Sequence, residues 1–299
     1  GDLDVVLSGD TGSGLISSVY RNDSGTFIDI NAGLIGASNS ALGWGDYDND
    51  GDLDILLTGS ILPSGDPITD VVSLIYRNDG GAFALLNPGL PGASWGAFAW
   101  GDYDNDGDLD ILMSGDNDGN YIAEVYRNTN GAFAPIGAGL PAVAYGSVAW
   151  GDFDNDGDLD IVITGDTGAA RLTRVYRNTG GSFSDTGYAL TGVRYSSSVW
   201  GDFDNDGDLD LLLTGDSDTG PISLVYQNTG SGFSDISAGL TGLSATSACW
   251  GDYDNDGDLD LVITGSVAGI PTTSLYRNNA TSPNTLPSAP TNLLSTSEN

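Results

Sequence analysis

Five copies of one nine-residue string, Asp-x-Asp-x-Asp-Gly-Asp-Leu-Asp, restrict the folds open to this chain more than any other feature. They run from Asp46 to Asp54, Asp102 to Asp110, Asp152 to Asp160, Asp202 to Asp210 and Asp252 to Asp260, and Gly1 to Asp4 reads as the surviving half of a sixth. Two unit charges about 5 Å apart repel by roughly 3 kcal/mol at an effective dielectric of about 20, so four or five carboxylates on one tight loop demand a counter-charge. A hard divalent cation supplies it.

The spacing points to calcium. Side chains at positions 1, 3 and 5 converge when the loop curls, the Gly at position 6 permits the sharp turn, and a backbone carbonyl at position 7 completes an oxygen cage. In the first copy these residues are Asp46, Asp48, Asp50, Gly51 and Asp52, with Asp54 at position 9 able to close the shell. An EF-hand would place a bidentate Glu at position 12, where this chain has Leu57, Met113, Ile163, Leu213 and Ile263. The helix-loop-helix reading therefore fails. Each loop runs instead into a short apolar segment such as Ile55-Leu56-Leu57-Thr58-Gly59, which is strand-like. A merely acidic surface turn accounts for neither the periodicity nor the ligand spacing.

Around the loops the same order of signals recurs. A small-residue segment ends in Trp-Gly-Asp, at Trp44, Trp100, Trp150, Trp200 and Trp250; the acidic loop follows, and then an apolar strand closing on Thr/Ser-Gly. A third segment ends in Tyr-Arg/Gln-Asn, from Tyr20 to Tyr276, and after a Gly-rich turn a fourth is marked by Phe27, Phe83, Phe133, Phe183 and Phe233. Four strands per unit joined by turns predict a β-propeller blade. The fold class expected is all-β, a propeller of four-stranded antiparallel blades with the calcium loop between the first and second strands. Six blades are represented, and one further upstream repeat would make seven. The last loop Asp advances in steps of 50, 56, 50, 50 and 50 residues from Asp4 to Asp260. The extra six lie between Gly59 and Tyr76, which assigns them to a loop joining second and third strands, on the face opposite the acidic loops.

Residues 1–278 are read as the propeller, with incomplete first and last blades, and residues 279–299, rich in Ser, Thr, Pro and Asn, as a linker. Within it, Pro287-Ser288-Ala289-Pro290-Thr291-Asn292-Leu293 resembles the opening of a fibronectin type III domain.

Composition narrows the function. Formal net charge is −34, and five bound calcium ions would lift it by ten, to −24; nucleic acid and anionic bilayers would both be repelled. No run of 18 or more apolar residues exists, so no membrane-inserted helix is expected. Cys249 is the only cysteine and occupies what reads as a small core position, equivalent to Gly43, Ala99, Ala149 and Val199. A calcium-stapled fold makes most sense outside the cell, where calcium is millimolar, and the expected localisation is secreted or cell-surface attached.

Taken together, Trp-Gly-Asp-(Tyr/Phe)-Asp-Asn-Asp-Gly-Asp-Leu-Asp followed by an apolar strand and Thr/Ser-Gly resembles the FG-GAP or VCBS repeat, the blade unit also found in integrin α-subunit propellers. The resemblance spans roughly residues 1–278. It implies five Ca2+ sites with ligands at positions 1, 3, 5, 7 and 9. These are Asp46, Asp48, Asp50, Asp52 and Asp54 in the first copy; Asp102, Asp104, Asp106, Asp108 and Asp110 in the second; and Asp152, Asp154, Asp156, Asp158 and Asp160 in the third. The fourth copy has Asp202, Asp204, Asp206, Asp208 and Asp210, and the fifth Asp252, Asp254, Asp256, Asp258 and Asp260. Only Asp2 and Asp4 remain of the N-terminal loop.

Ions of this kind brace a scaffold, which leaves function to other residues. Lys and His are absent and almost every clustered carboxylate belongs to a loop cage, so no acid/base or nucleophile set is evident and an enzyme is not expected. Positions that break the repeat are the better candidates. Trp95, Tyr145 and Tyr195 each stand five residues before the blade Trp, where other repeats have Asn39 and Ala245, on the face expected to carry the insertion. These aromatics suit a protein partner or a sugar ring. The preferred reading is an extracellular adhesion or ligand-recognition module. The alternatives are a subunit of a surface filament that assembles through open blade edges by strand exchange, and an accessory domain of a secreted enzyme.

Overall fold

The computed structural model describes residues 2–61 and 71–278, and every regular element among them is a β-strand. They fall into two compact units divided between Ala144 and Tyr145. The first unit holds three sheets: β1 (Val5–Asp10), β2 (Leu15–Asp23) and β3 (Thr26–Asp29); β4 (Ser38–Gly45), β5 (Asp54–Ser60), β6 (Val71–Asp79) and β7 (Ala82–Leu86); and β8 (Ser94–Gly101), β9 (Asp110–Asn117), β10 (Asn120–Thr129) and β11 (Ala132–Pro135). The second holds β12 (Val148–Gly151), β13 (Asp160–Asp166), β14 (Arg171–Thr179) and β15 (Ser182–Asp185); β16 (Arg194–Gly201), β17 (Asp210–Ser217), β18 (Gly220–Asn228) and β19 (Phe233–Asp235); and β20 (Ser244–Gly251), β21 (Asp260–Val267) and β22 (Ile270–Tyr276). All six sheets are antiparallel with strands in chain order, the meander of a propeller blade.

The sequence explains which strand lies where. The second strand of a four-stranded blade is covered on both faces, so it reads as a continuous apolar run; Ile55, Leu56 and Leu57 are all buried. Leu56 and Ile75 of one blade join Ile111, Met113 and Tyr126 of the next in a single core cluster. Each such side chain contributes about 1.5–3 kcal/mol when fully buried. The Trp-Gly pair adds a lock between sheets. A Cβ on Gly45 would lie 2.7 Å from Nε1 of Trp100, and one on Gly201 would lie 2.5 Å from the Trp250 ring, so the indole of one blade rests on the bare backbone of its predecessor. On its own blade Trp100 leans against Phe133, with ring centroids 6.2 Å apart, and Trp200 against Phe233 at 5.8 Å. The Trp and Phe signals of the repeat thus belong to one packing unit.

The first strands are irregular. Pairing between β4 and β5, β8 and β9, β16 and β17, and β20 and β21 shifts register at a β-bulge, between Ser38 and Ala41 in the first case and between Arg194 and Ser197 in the third. The residue after the start of each bulge is left-handed: Asn39 (φ 49°), Trp95 (φ 50°), Tyr195 (φ 47°) and Ala245 (φ 50°), joined by Tyr145 (φ 57°) ahead of β12.

Cys249 departs from the core position expected of it and is exposed. The equivalent position in an interior blade faces the following sheet, where a Cβ on Gly43 would sit 3.4 Å from the Phe98 ring. In β20 exposed and half-buried positions alternate along the strand, and Cys249 falls on an exposed one. The centre of the six-residue insertion and the 279–299 linker lie outside the described residues.

Candidate metal centres and ligand face

Each acidic loop joins a first strand to a second, and its fold follows from short-range hydrogen bonds. In the β8–β9 loop, Asp102 accepts the N–H of Asp106 on Oδ1 and that of Gly107 on Oδ2, both at 2.9 Å, which curls the loop around the first carboxylate. Asn105 (φ 58°) and Gly107 (φ 93°) supply the left-handed turns this requires, conformations that Asn tolerates and Gly adopts freely. Asp110 is fully buried and accepts N–H groups from Asn128 at 2.8 Å and Tyr103 at 3.1 Å. The other intact loops repeat these bonds, and the half-copy keeps part of them, Asp4 accepting from Asn22 and Asp2 from Ser24.

Carboxylate oxygens are thereby gathered within 4.8 Å of one another. The groups are Asp46, Asp48 and Asp50; Asp102, Asp104 and Asp110; Asp152, Asp154 and Asp160; Asp202, Asp204 and Asp206; and Asp252, Asp254 and Asp260. Ligands at about 2.3–2.6 Å from one Ca2+ stand no more than about 5 Å apart, so the clusters have the right size. The position-3 carboxylate provides a sharper test. Oδ1 of Asp48, Asp104, Asp154, Asp204 and Asp254 is shielded from solvent and has no hydrogen-bond partner, in all five loops. A buried, unpartnered carboxylate oxygen is costly, and its recurrence at one position, amid an all-oxygen donor set, fits a hard cation.

Electrostatics agree. Burial pushes Asp54, Asp110, Asp160 and Asp210 up to about 7, against the opposing effect of the two N–H donors each receives. Burial, then the neighbouring carboxylates, raises Asp104 as well. Partial relief comes from the Tyr-Arg-Asn arginines: Arg127 pairs with Asp104 at 3.0 Å and Asp106 at 2.9 Å, and Arg277 reaches Asp254 and Asp256. Arg21 and Arg77 pair instead with Asp23 and Asp79 beside them.

Position 7 is different. Its side chains are engaged outside the cluster: Asp52 accepts from Gly80, Asp108 from Asn130 and Asp158 from Gly180, tying the loop to the turn between third and fourth strands. A second oxygen of Asp108 accepts from Asn49, while Asp208 accepts from Asn155 and Asp258 from Asn205, so the Asn at position 4 of one loop holds the next. The backbone carbonyl is then the group that position 7 has to offer a cation. Return bonds run from Asn128 to the Tyr47 carbonyl at 2.8 Å, from Asn228 to that of Phe153 and from Asn278 to that of Phe203, both at 2.7 Å. Sequence reasoning missed this two-way clasp; its traces were an Asn at position 4 of every loop and the Asn that closes each Tyr-Arg/Gln-Asn segment.

At the opposite strand ends stand the irregular aromatics. Trp95, in the first unit, is 45% exposed. In the second, Tyr145 and Tyr195 meet edge to face with centroids 5.2 Å apart, and the Tyr195 N–H donates to the Tyr145 carbonyl.

A family model described as an FG-GAP-like repeat matches residues 102–163, 152–213 and 202–263, which together cover more than half of the chain. No curated protein matches the sequence. Among solved structures, a mutant of the Aleuria aurantia lectin in complex with Fucα1-6GlcNAc is similar at TM-score 0.52 and 12% identity, over 92% of this chain and 88% of that one. An endo-arabinase from Bacteroides thetaiotaomicron aligns at TM-score 0.41 and 12% identity, over 77% of this chain and 91% of that one. At such identity the likeness to the lectin extends to the fold alone.

Proposed function

The chain belongs to the FG-GAP-like repeat family, and from that premise we propose an extracellular, calcium-braced β-propeller that recognises a protein or glycan ligand by binding rather than catalysis. Calcium is the scaffold's ion. Asp side chains at positions 1, 3, 5 and 9 and the position-7 carbonyl would hold it; when bound, the ion supplies the counter-charge that lets each loop stay closed.

The observation that carries the recognition reading is the contrast between the two ends of a blade. At the acidic end the same bonds recur from loop to loop. At the other end one left-handed position of the repeat holds Asn39, Trp95, Tyr145, Tyr195 and Ala245 in turn. Variation confined to one end of a repeated frame, with aromatics on it, is the arrangement expected of a ligand face. The lectin of similar fold carries a disaccharide, which makes glycans a first class to assay.

The test is retention of the full chain on glycan and protein arrays, in millimolar calcium and in EDTA. Calcium-dependent binding to a defined ligand is expected; uniform absence of binding in calcium would overturn the recognition reading.

A further inference from the structure

The second unit places a compact set of complementary groups beside the Tyr145–Tyr195 pair. Arg194, at the start of β16, lays its guanidinium 5.2 Å from the centroid of the Tyr195 ring and donates from Nη1 to Asp166 Oδ2 at 2.9 Å. Across the sheet its register partner is Asp216 at the end of β17. Asp166 is the last residue of β13 and Asp216 the last but one of β17, so the set lies at the strand ends opposite the acidic loops.

Three features mark this set as more than packing. Tyrosine is a poor occupant of left-handed backbone, at a cost of about 1–2 kcal/mol, yet Tyr145 and Tyr195 both adopt it where another repeat uses Asn39. Strain retained at one strand end, in the case of Tyr195 on a bulge that re-aims side chains, is characteristic of binding positions. Next, Arg194 Nε and Asp216 Oδ1 are shielded from solvent and have no hydrogen-bond partner, leaving one donor and one acceptor unanswered. Those two atoms are screened, but the side chains that carry them are only half-buried, and a hydroxyl that meets them can accept from the guanidinium and donate to the carboxylate. Charge then selects among hydroxylic ligands. One Arg against two Asp, on a chain of net charge −34, repels an anion and leaves a neutral polyol favoured.

We infer that Tyr145, Tyr195, Arg194, Asp166 and Asp216 form a subsite for a neutral carbohydrate ring. The tyrosine rings take the apolar face of the sugar, and Arg194 and Asp216 take its hydroxyls. This deepens the recognition reading and rests on it.

The test uses the full chain in millimolar calcium, on an array of neutral oligosaccharides, sialylated oligosaccharides and immobilised proteins. Retention on neutral oligosaccharides is expected. Tyr145→Ala and Tyr195→Ala should each lower affinity about ten-fold, as loss of an aromatic contact does. Asp216→Asn, which is isosteric, and Arg194→Gln, which removes the guanidinium, should weaken binding in the same assay, while the melting temperature of Asp216→Asn in calcium stays within about 2 °C of wild type. Neutral-glycan binding that survives all four substitutions overturns the subsite. Retention only on sialylated glycans or only on proteins also overturns it but leaves the recognition reading standing, whereas retention on nothing removes both.

Discussion

Single residues carry two separable tasks here, packing between sheets and the gathering of carboxylates in the loops. Gly201 receives the Trp250 indole, so Gly201→Ala should destabilise the chain by about 1–3 kcal/mol in urea unfolding, the range for an overpacked contact. Gly251→Ala is the control: nothing lies within 4 Å of its Cβ position, and its effect should stay within about 0.5 kcal/mol. The buried loop carboxylates make a pH prediction. Asp54, Asp110, Asp160 and Asp210 stand at about 7 in the folded chain against an ordinary 3.8. Between those values the calcium-free native state keeps protons that the unfolded chain releases, so stability in EDTA is greatest at or below the lower value and falls as pH rises to about 7. With calcium present the ion competes for the same oxygens, and stability should instead rise across that interval. Thermal melts at a series of pH values, with and without calcium, check both slopes. The convergence of the loop carboxylates was legible because their spacing is local. The left-handed state of Trp95, Tyr145 and Tyr195 was not, since nothing in a Trp or Tyr announces positive φ.

At the scale of the element, successive acidic loops within a unit are bonded to one another. Asn155 of one loop donates to Asp208 of the next, and Asn228 of that next blade donates back to the Phe153 carbonyl. A cation that orders one loop therefore pre-orders the next, and calcium binding should be cooperative among neighbouring loops. Calorimetric titration of calcium into the apo chain should give a Hill coefficient above one, and Asn155→Ala should lower it while leaving the number of ions unchanged; an unaltered isotherm for that variant would refute the coupling. Such a clasp is hidden from sequence reading because its partners are 53 residues apart, whereas the strand order could be read from turn and periodicity signals within each repeat. Cys249 shows the same limit. Its place in the repeat aligns with Gly43, which faces the Phe98 ring of the next sheet, yet Cys249 is exposed, because burial depends on non-local neighbours that alignment within a repeat does not supply.

For the whole molecule, charge is what calcium has to answer. A net charge of −34 on 299 residues opposes compaction, and divalent ions held in the loops would relieve it where it is densest. Excess EDTA should lower the melting temperature substantially at low ionic strength, and added monovalent salt should recover only part of the loss, because screening does not fill a coordination shell. A melting curve indifferent to EDTA would sink the structural role of calcium. The fold itself was readable from repetition, and the contact that makes repetition workable is the indole resting on bare glycine backbone. Since one module bears both the plug and the socket for its successor, duplication of a segment of 50 residues brings a ready-made joint with it. Evolution can therefore lengthen or shorten such a chain by whole modules, and diversify the aromatic ends one module at a time, without inventing a new joint.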